Sequence, residues 1–178
     1  AGRIDAALVS VGGILPHPEL TILPDMAIAS RGPVMSIQLY AKKPLDRVRT
    51  VALDSSSRSA VALTRTLFAE AWKSDPEFVT LPPDLPSMLS QADAALLIGN
   101  PALQTNLRLD RGELSFPGLE RHDLGKAWDD MTGLPFVYAA WAARPGIDHE
   151  RLTGVLQRAK TWGLRRINML AGRGAREL

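Results

Sequence analysis

The 178-residue sequence predicts an α/β fold of two lobes. Three observations carry that expectation. Strand-like and helix-like segments alternate along the whole chain, two strands run directly into turns rich in helix-starting residues, and two extended segments, 34–41 and 136–143, bracket a middle portion with strands and helices of its own. Read as the crossings between lobes, those two segments assign residues 1–41 with 135–178 to a first lobe and 42–134 to a second.

Each element has its own signal. Residues 4–11 read as a buried strand ended by Gly12-Gly13, and the loop at Pro16-His17-Pro18 follows. In 34–41, Met35, Ile37 and Leu39 alternate with Ser36, Gln38 and Tyr40; the period of two predicts that the first set faces the core and Ser36 looks outward. Residues 48–53 make a short strand leading into a serine-rich turn and a helix to Trp72, whose apolar face is expected from Val61, Thr64, Leu67, Phe68, Ala71 and Trp72. A weak strand at 78–81, a helix at 85–91 capped by Asp84, and a strand at 94–98 follow. The turn Gly99-Asn100-Pro101 pairs a capping residue with proline at the first helical position. Residues 124–131 read as a helix closed by Gly133, 136–143 as a strand, and Asp148 as the cap of a last helix. Trp128, Trp141 and Trp162 fit packing positions.

Composition removes several classes of function. Apolar residues make up 46% and charged residues 22%, so long disordered stretches are not expected. Lys and Arg number 21 against 19 Asp and Glu, too small a surplus for a nucleic-acid surface, and the cluster Arg165, Arg166, Arg173 and Arg176 reads as a solvated helix face. The absence of cysteine excludes disulfides, thiolate metal sites and cysteine nucleophiles. His17, His122 and His149 are scattered, each in a loop or at a helix start, and no metal site is expected from them. No segment reads as a membrane span or a signal sequence, and the expectation is a cytoplasmic protein, although the chain opens on Ala1 without a methionine.

Two turns have chemical content. The loop at 55–59 sets four serines beside the first amides of a helix, which suits a carboxylate or phosphate; plain N-capping is the alternative reading. Gly99-Asn100-Pro101 is a second helix start, and two such starts facing one another across a cleft would hold a ligand at two carboxylates.

Four stretches in order, 32–36, 54–59, 92–103 and 123–141, together resemble the chorismate dehydratase family of the futalosine route to menaquinone. They read Gly-Pro-Val-Met-Ser, Asp-Ser-Ser-Ser-Arg-Ser, Ala-Asp-Ala-Ala-Leu-Leu-Ile-Gly-Asn-Pro-Ala-Leu, and a run from Asp123-Leu-Gly-Lys-Ala-Trp128 to Thr132-Gly-Leu-Pro-Phe-Val-Tyr-Ala-Ala-Trp141. The aromatic-rich strand Phe136–Trp141 is similar to the dehydratases and unlike a sister enzyme that acts later, on cyclic dehypoxanthine futalosine. The resemblance implies a two-lobed fold like type II periplasmic binding proteins and a carbon–oxygen lyase that removes water from chorismate to give 3-[(1-carboxyvinyl)oxy]benzoate, with no cofactor. Ser36 matches the family's active-site serine, and Ser56, Ser57 and Ser59, with Arg58 among them, match its carboxylate-binding loop.

The sequence departs from that pattern in three places. Gly99-Asn100-Pro101 stands where the family has Gly-Asp-Ala, and Ala60 where a hydroxyl is common. The family's first strand, first helix and active-site asparagine would precede residue 1, so the first lobe is expected to be incomplete and the chain to associate or to be poorly soluble. The C-terminal helices read as curtailed. The rival readings are a non-catalytic module that binds or senses a small carboxylate, and an inactive fragment; association into a homo-oligomer is left open.

Overall fold

The structure is a computed structural model and describes residues 4–54 and 56–174. It divides into two compact units, residues 1–28 with 137–178, and residues 29–136.

The first unit is built on a three-stranded sheet in the order β1 (Ala6–Ser10), β8 (Phe136–Ala143), β2 (Thr21–Ser30). β1 runs antiparallel to β8, with Ala6 opposite Ala143 and Ser10 opposite Ala139. As an outer strand of the three, β1 is not the buried strand that the sequence suggests: Leu8 is exposed and its neighbours are half-buried. Leu23, Met26 and Ala143 form one buried cluster, against which Trp141, Leu152 and Leu156 pack; Ile14, Ala140 and Ala142 form another. The short helix α1 (Val11–Ile14) follows β1 where the sequence suggests only the strand's end. β2 is also absent from the sequence reading, for a physical reason. Asp25 is left-handed at φ +63°, so the buried residues Leu23 and Met26 lie three apart and the period of two is lost, while Pro24 within the strand weakens the signal further.

Helix α6 (His149–Leu164) starts as expected, with Arg151 N–H donating to Asp148 Oδ1 at 2.9 Å. Neither it nor α7 (Ile167–Gly174) has a buried residue. Trp162 is 54% exposed, contrary to its expected packing role, with the Arg166 guanidinium 4.3 Å from its ring centroid. Arg165, Arg166 and Arg173 are exposed, while Arg176 lies outside the described residues.

The second unit has a five-stranded sheet in the order β5 (Glu77–Thr80), β4 (Thr50–Leu53), β6 (Ala94–Ile98), β3 (Ile37–Ala41), β7 (Glu120–Asp123). β4 is parallel to β5 and β6; β3 is antiparallel to both β6 and β7. Thus β3, assigned from sequence to the first lobe, hydrogen-bonds within the second unit's sheet, and the chain leaves the first unit after Ile28, near the end of β2.

All five residues of β3 are buried, so its two faces are not core and solvent. Gln38 and Tyr40 look polar in the sequence and are covered here because their polar tips find partners inside the unit. Met35, expected in the core, is 65% exposed, because at φ +57° it lies in a turn ahead of the strand and outside its alternation.

Helix α2 (Arg58–Glu70) buries Ala60, Leu63, Thr64, Leu67 and Phe68, a stripe at three- and four-residue spacing that leaves Ala71 exposed and Val61 half-buried. Phe68 meets Trp72 and Phe78 edge-on at centroid distances of 4.8 and 6.0 Å. Helix α3 (Leu85–Gln91) is capped by Asp84 and buries Leu85, Met88 and Leu89 against Tyr40, Ala95 and Leu97. Helix α4 (Gly99–Asp110) contributes Ala102 to the same cluster. Helix α5 (Leu124–Thr132) ends at Gly133, φ +67°, as the sequence suggests.

Candidate functional site

Strand directions gather the candidate residues of the second unit. Since β4 and β6 are parallel, and β6 and β7 are both antiparallel to β3, the carboxyl ends of β4, β6 and β7 lie along one edge of the sheet, where β3 begins. Helices α2, α4 and α5 start from that edge, so three helix N-termini with their positive dipole ends collect there. Ser36 precedes β3 at the same edge; the register Ile37 to Ile98 places it opposite Gly99, whose N–H donates to Ser36 O at 2.7 Å.

The serine loop divides its work. Asp54, buried at the end of β4, accepts from Ser56 N–H at 2.9 Å and so folds the loop's entry. Ser57 caps α2, accepting from Ala60 N–H at 3.3 Å, which is the capping role. Ser59 is buried within the first turn, whereas Ser56 and Arg58 are exposed. Ser55, counted with this loop in the sequence, lies outside the described residues.

At the second turn the expected cap is corrected. The helix begins at Gly99, earlier than the proline predicts, with Ile98 before it and no side chain capping it. Gly99 makes the strand-to-helix turn at φ +61°. Asn100 therefore sits in the first helical turn, exposed, and is not the cap.

Two residues without an assigned role in the sequence organise the edge. Asp123 ends β7 and caps α5, accepting from Lys126 N–H at 3.0 Å. Its carboxylate also accepts from Val34 N–H at 3.0 Å, from Met35 N–H at 2.7 Å and from the Gln38 side chain at 2.8 Å. Asn106, from the middle of α4, donates through Nδ2 to Met35 O at 3.2 Å, and its Oδ1 stands 2.9 Å from the Tyr40 hydroxyl. Position before a helix marks Asp123 as a cap; its long-range partners leave no local signal.

An open depression of about 630 Å³ in the same unit is lined by Trp72, Arg121, His122, Lys126, Asp130 and Met131 among others. His122, read from sequence as a surface loop residue, belongs to β7 and is half-buried. Burial pushes its pKa below the ordinary value, only partly opposed by Glu120, whose Oε2 stands 3.3 Å from Nε2 in a geometry that makes no hydrogen bond. Among the described residues no group of three or more His, Asp or Glu is placed to hold a metal ion, and no helix is long and apolar enough to cross a membrane.

Residues 1–178 match the menaquinone biosynthesis family from end to end. The chain belongs to that family. It is 33% identical to a chorismate dehydratase of Thermus thermophilus over 188 aligned residues, covering all of this chain and 69% of that protein. Among solved structures it is similar to protein AF1704 of Archaeoglobus fulgidus, with a TM-score of 0.68, 20% identity, and coverage of 99% of this chain but 65% of that one. It is also similar to YhfZ of Shigella flexneri, with a TM-score of 0.58 and 22% identity over 97% of this chain and 70% of that one. These two likenesses show the fold, which is α/β in both units.

Proposed function

We propose that the chain acts as a chorismate dehydratase, a cytoplasmic hydro-lyase of the futalosine route that converts chorismate to 3-[(1-carboxyvinyl)oxy]benzoate. The observation that carries this reading is the single sheet edge at which Ser36, the exposed Ser56 and Arg58, and the uncapped start of α4 with Asn100 come together. Chorismate carries two carboxylates, and this edge offers two distinct places for one: Ser56 with Arg58 at the start of α2, and the first turn of α4 beside Asn100. Ser36 lies at the neighbouring strand start, against Gly99, where the ring of a substrate so held would be reached.

The reaction asks little of an acid or base. The hydrogen on the ether-bearing ring carbon is acidified through conjugation to the ring carboxylate; its removal and departure of the neighbouring hydroxide with a proton give water and an aromatic ring. Positioning and charge stabilisation can supply much of the remaining barrier. The two carboxylates described at this edge, Asp54 and Asp123, are both engaged with backbone N–H groups. That arrangement favours the substrate's own enolpyruvyl carboxylate as proton acceptor.

Incubating the protein with chorismate and following the product by mass spectrometry tests the reading. The expected result is loss of one water with formation of the enolpyruvyl benzoate, at a rate that falls sharply for an analogue lacking the enolpyruvyl carboxylate. Calorimetric binding of chorismate without product would select instead a non-catalytic binding module, and normal turnover of the analogue would remove the substrate carboxylate from the mechanism.

A further inference from the structure

Met35 is left-handed at φ +57°, a conformation that residues other than glycine seldom adopt, and it carries its side chain 65% exposed. No packing of the thioether explains the backbone. The strain sits immediately before Ser36, in a three-residue turn closed by Ser36 N–H donating to Val34 O at 2.6 Å.

Both sides of Met35 are held by side chains from other elements. Its N–H donates to Asp123 Oδ2 at 2.7 Å across 88 positions of sequence, and its carbonyl accepts from Asn106 Nδ2 at 3.2 Å across 71. Each holder is itself fixed. Asp123 takes Gln38 and Lys126 N–H as well, and Asn106 is met by the Tyr40 hydroxyl, which is buried beneath α4 and also lies 3.2 Å from Ala102 O. Capping α5 needs only one carboxylate oxygen; the remaining bonds all go to the segment 34–38.

We propose that Asn106 and Asp123 are positioning residues that hold Met35 in its left-handed turn and thereby fix Ser36 at the sheet edge. This rests on the reading of Ser36 as a residue of the chorismate site. Tyr40 acts one step further back, by orienting the Asn106 amide so that its nitrogen faces Met35 O. Neither holder needs to touch substrate: the left-handed turn is kept by hydrogen bonds from helix α4 and from the end of strand β7, and its next residue has its carbonyl pinned by Gly99.

The test exploits glycine, which adopts positive φ without strain. In the full chain, Asn106→Ala lowers kcat for chorismate by about ten- to a hundredfold through misplacement of Ser36, with a smaller change in KM. Adding Met35→Gly to that variant recovers a large part of the lost kcat, since the turn then forms without the clamp. Asn106→Asp keeps the size and removes the donor, and it loses kcat in the same way should the alanine variant fold poorly. An unchanged kcat in both Asn106 variants, or no gain from Met35→Gly, overturns the proposal. A urea-unfolding cycle over Asn106→Ala and Met35→Gly separates this from the functional reading: if the wild-type protein does not turn over chorismate, that reading fails, while additive effects in the cycle refute the clamp itself.

Discussion

The backbone N–H of Gly99 reaches the carbonyl of Ser36 at 2.7 Å, joining the first turn of α4 to the start of β3. Gly99 is held at φ +61°, and a Cβ there would meet no heavy atom within 4 Å. Replacement therefore costs conformation and not space. Gly99→Ala is expected to destabilise the protein by about 1–2 kcal/mol, and Gly99→Asn by less, because asparagine tolerates the left-handed region. Urea unfolding of the two variants checks the order; an alanine variant as stable as wild type would mean that the turn relaxes freely.

Ser57 and Ser56 are adjacent and should behave differently. Ser57 accepts from Ala60 N–H and caps α2, so Ser57→Ala is expected to cost about 1 kcal/mol of stability. Ser56 is exposed, and its N–H is held by Asp54 whatever the side chain, so Ser56→Ala should leave the melting temperature within about 1 °C and weaken chorismate binding. Thermal melts paired with calorimetry decide this, and equal losses of stability in both variants would count against a ligand role for Ser56.

Much of the second unit was legible in the sequence because local chemistry specified it. Asp84 caps α3, Gly133 closes α5, and the apolar runs at 48–53 and 94–98 become central strands. What stayed hidden depends on long-range pairing. β7 reads Glu-Arg-His-Asp, with no apolar residue to mark it, and is a strand because its backbone pairs with β3. Gln38 and Tyr40 alternate with apolar neighbours like solvent-facing residues, yet are buried because Asp123 and Asn106 meet their polar ends. In the candidate site, Ser36 and the two helix starts were visible as residue types in known positions, whereas Asp123 and Asn106 gain their role from partners 66 to 89 positions away.

For Ser36, half-buried ahead of β3, removal of the hydroxyl deletes little packing. Ser36→Ala is expected to lower kcat by roughly 10²–10³-fold if the hydroxyl stabilises charge as the ring aromatises, the scale found for single preorganised donors. Stability should change by less than about 0.5 kcal/mol. Steady-state kinetics and a thermal melt on the same sample make the comparison, and a large drop in stability with normal turnover would assign Ser36 to the fold.

His122 makes the stability of the protein depend on pH in a defined direction. Burial lowers its pKa from 6.5, while the nearby Glu120 acts the other way; the Trp72 ring lies tilted 6.3 Å away between centroids. Arg121, Lys126 and Asp130 line the same depression. In the unfolded chain the imidazole takes up its proton as pH falls through about 6.5, whereas the folded protein takes it up only at lower pH. Between those two values the unfolded state binds more protons, so stability falls as pH drops; above 6.5 both states are neutral at this site and the contribution is constant. Urea midpoints measured at pH 7.5 and 5.5 should thus differ in the wild type, and the difference should shrink in His122→Gln, which cannot titrate. Equal differences in the two proteins would show that His122 titrates alike in the folded and unfolded chain, and that the depression at β7 is wetter than its geometry indicates.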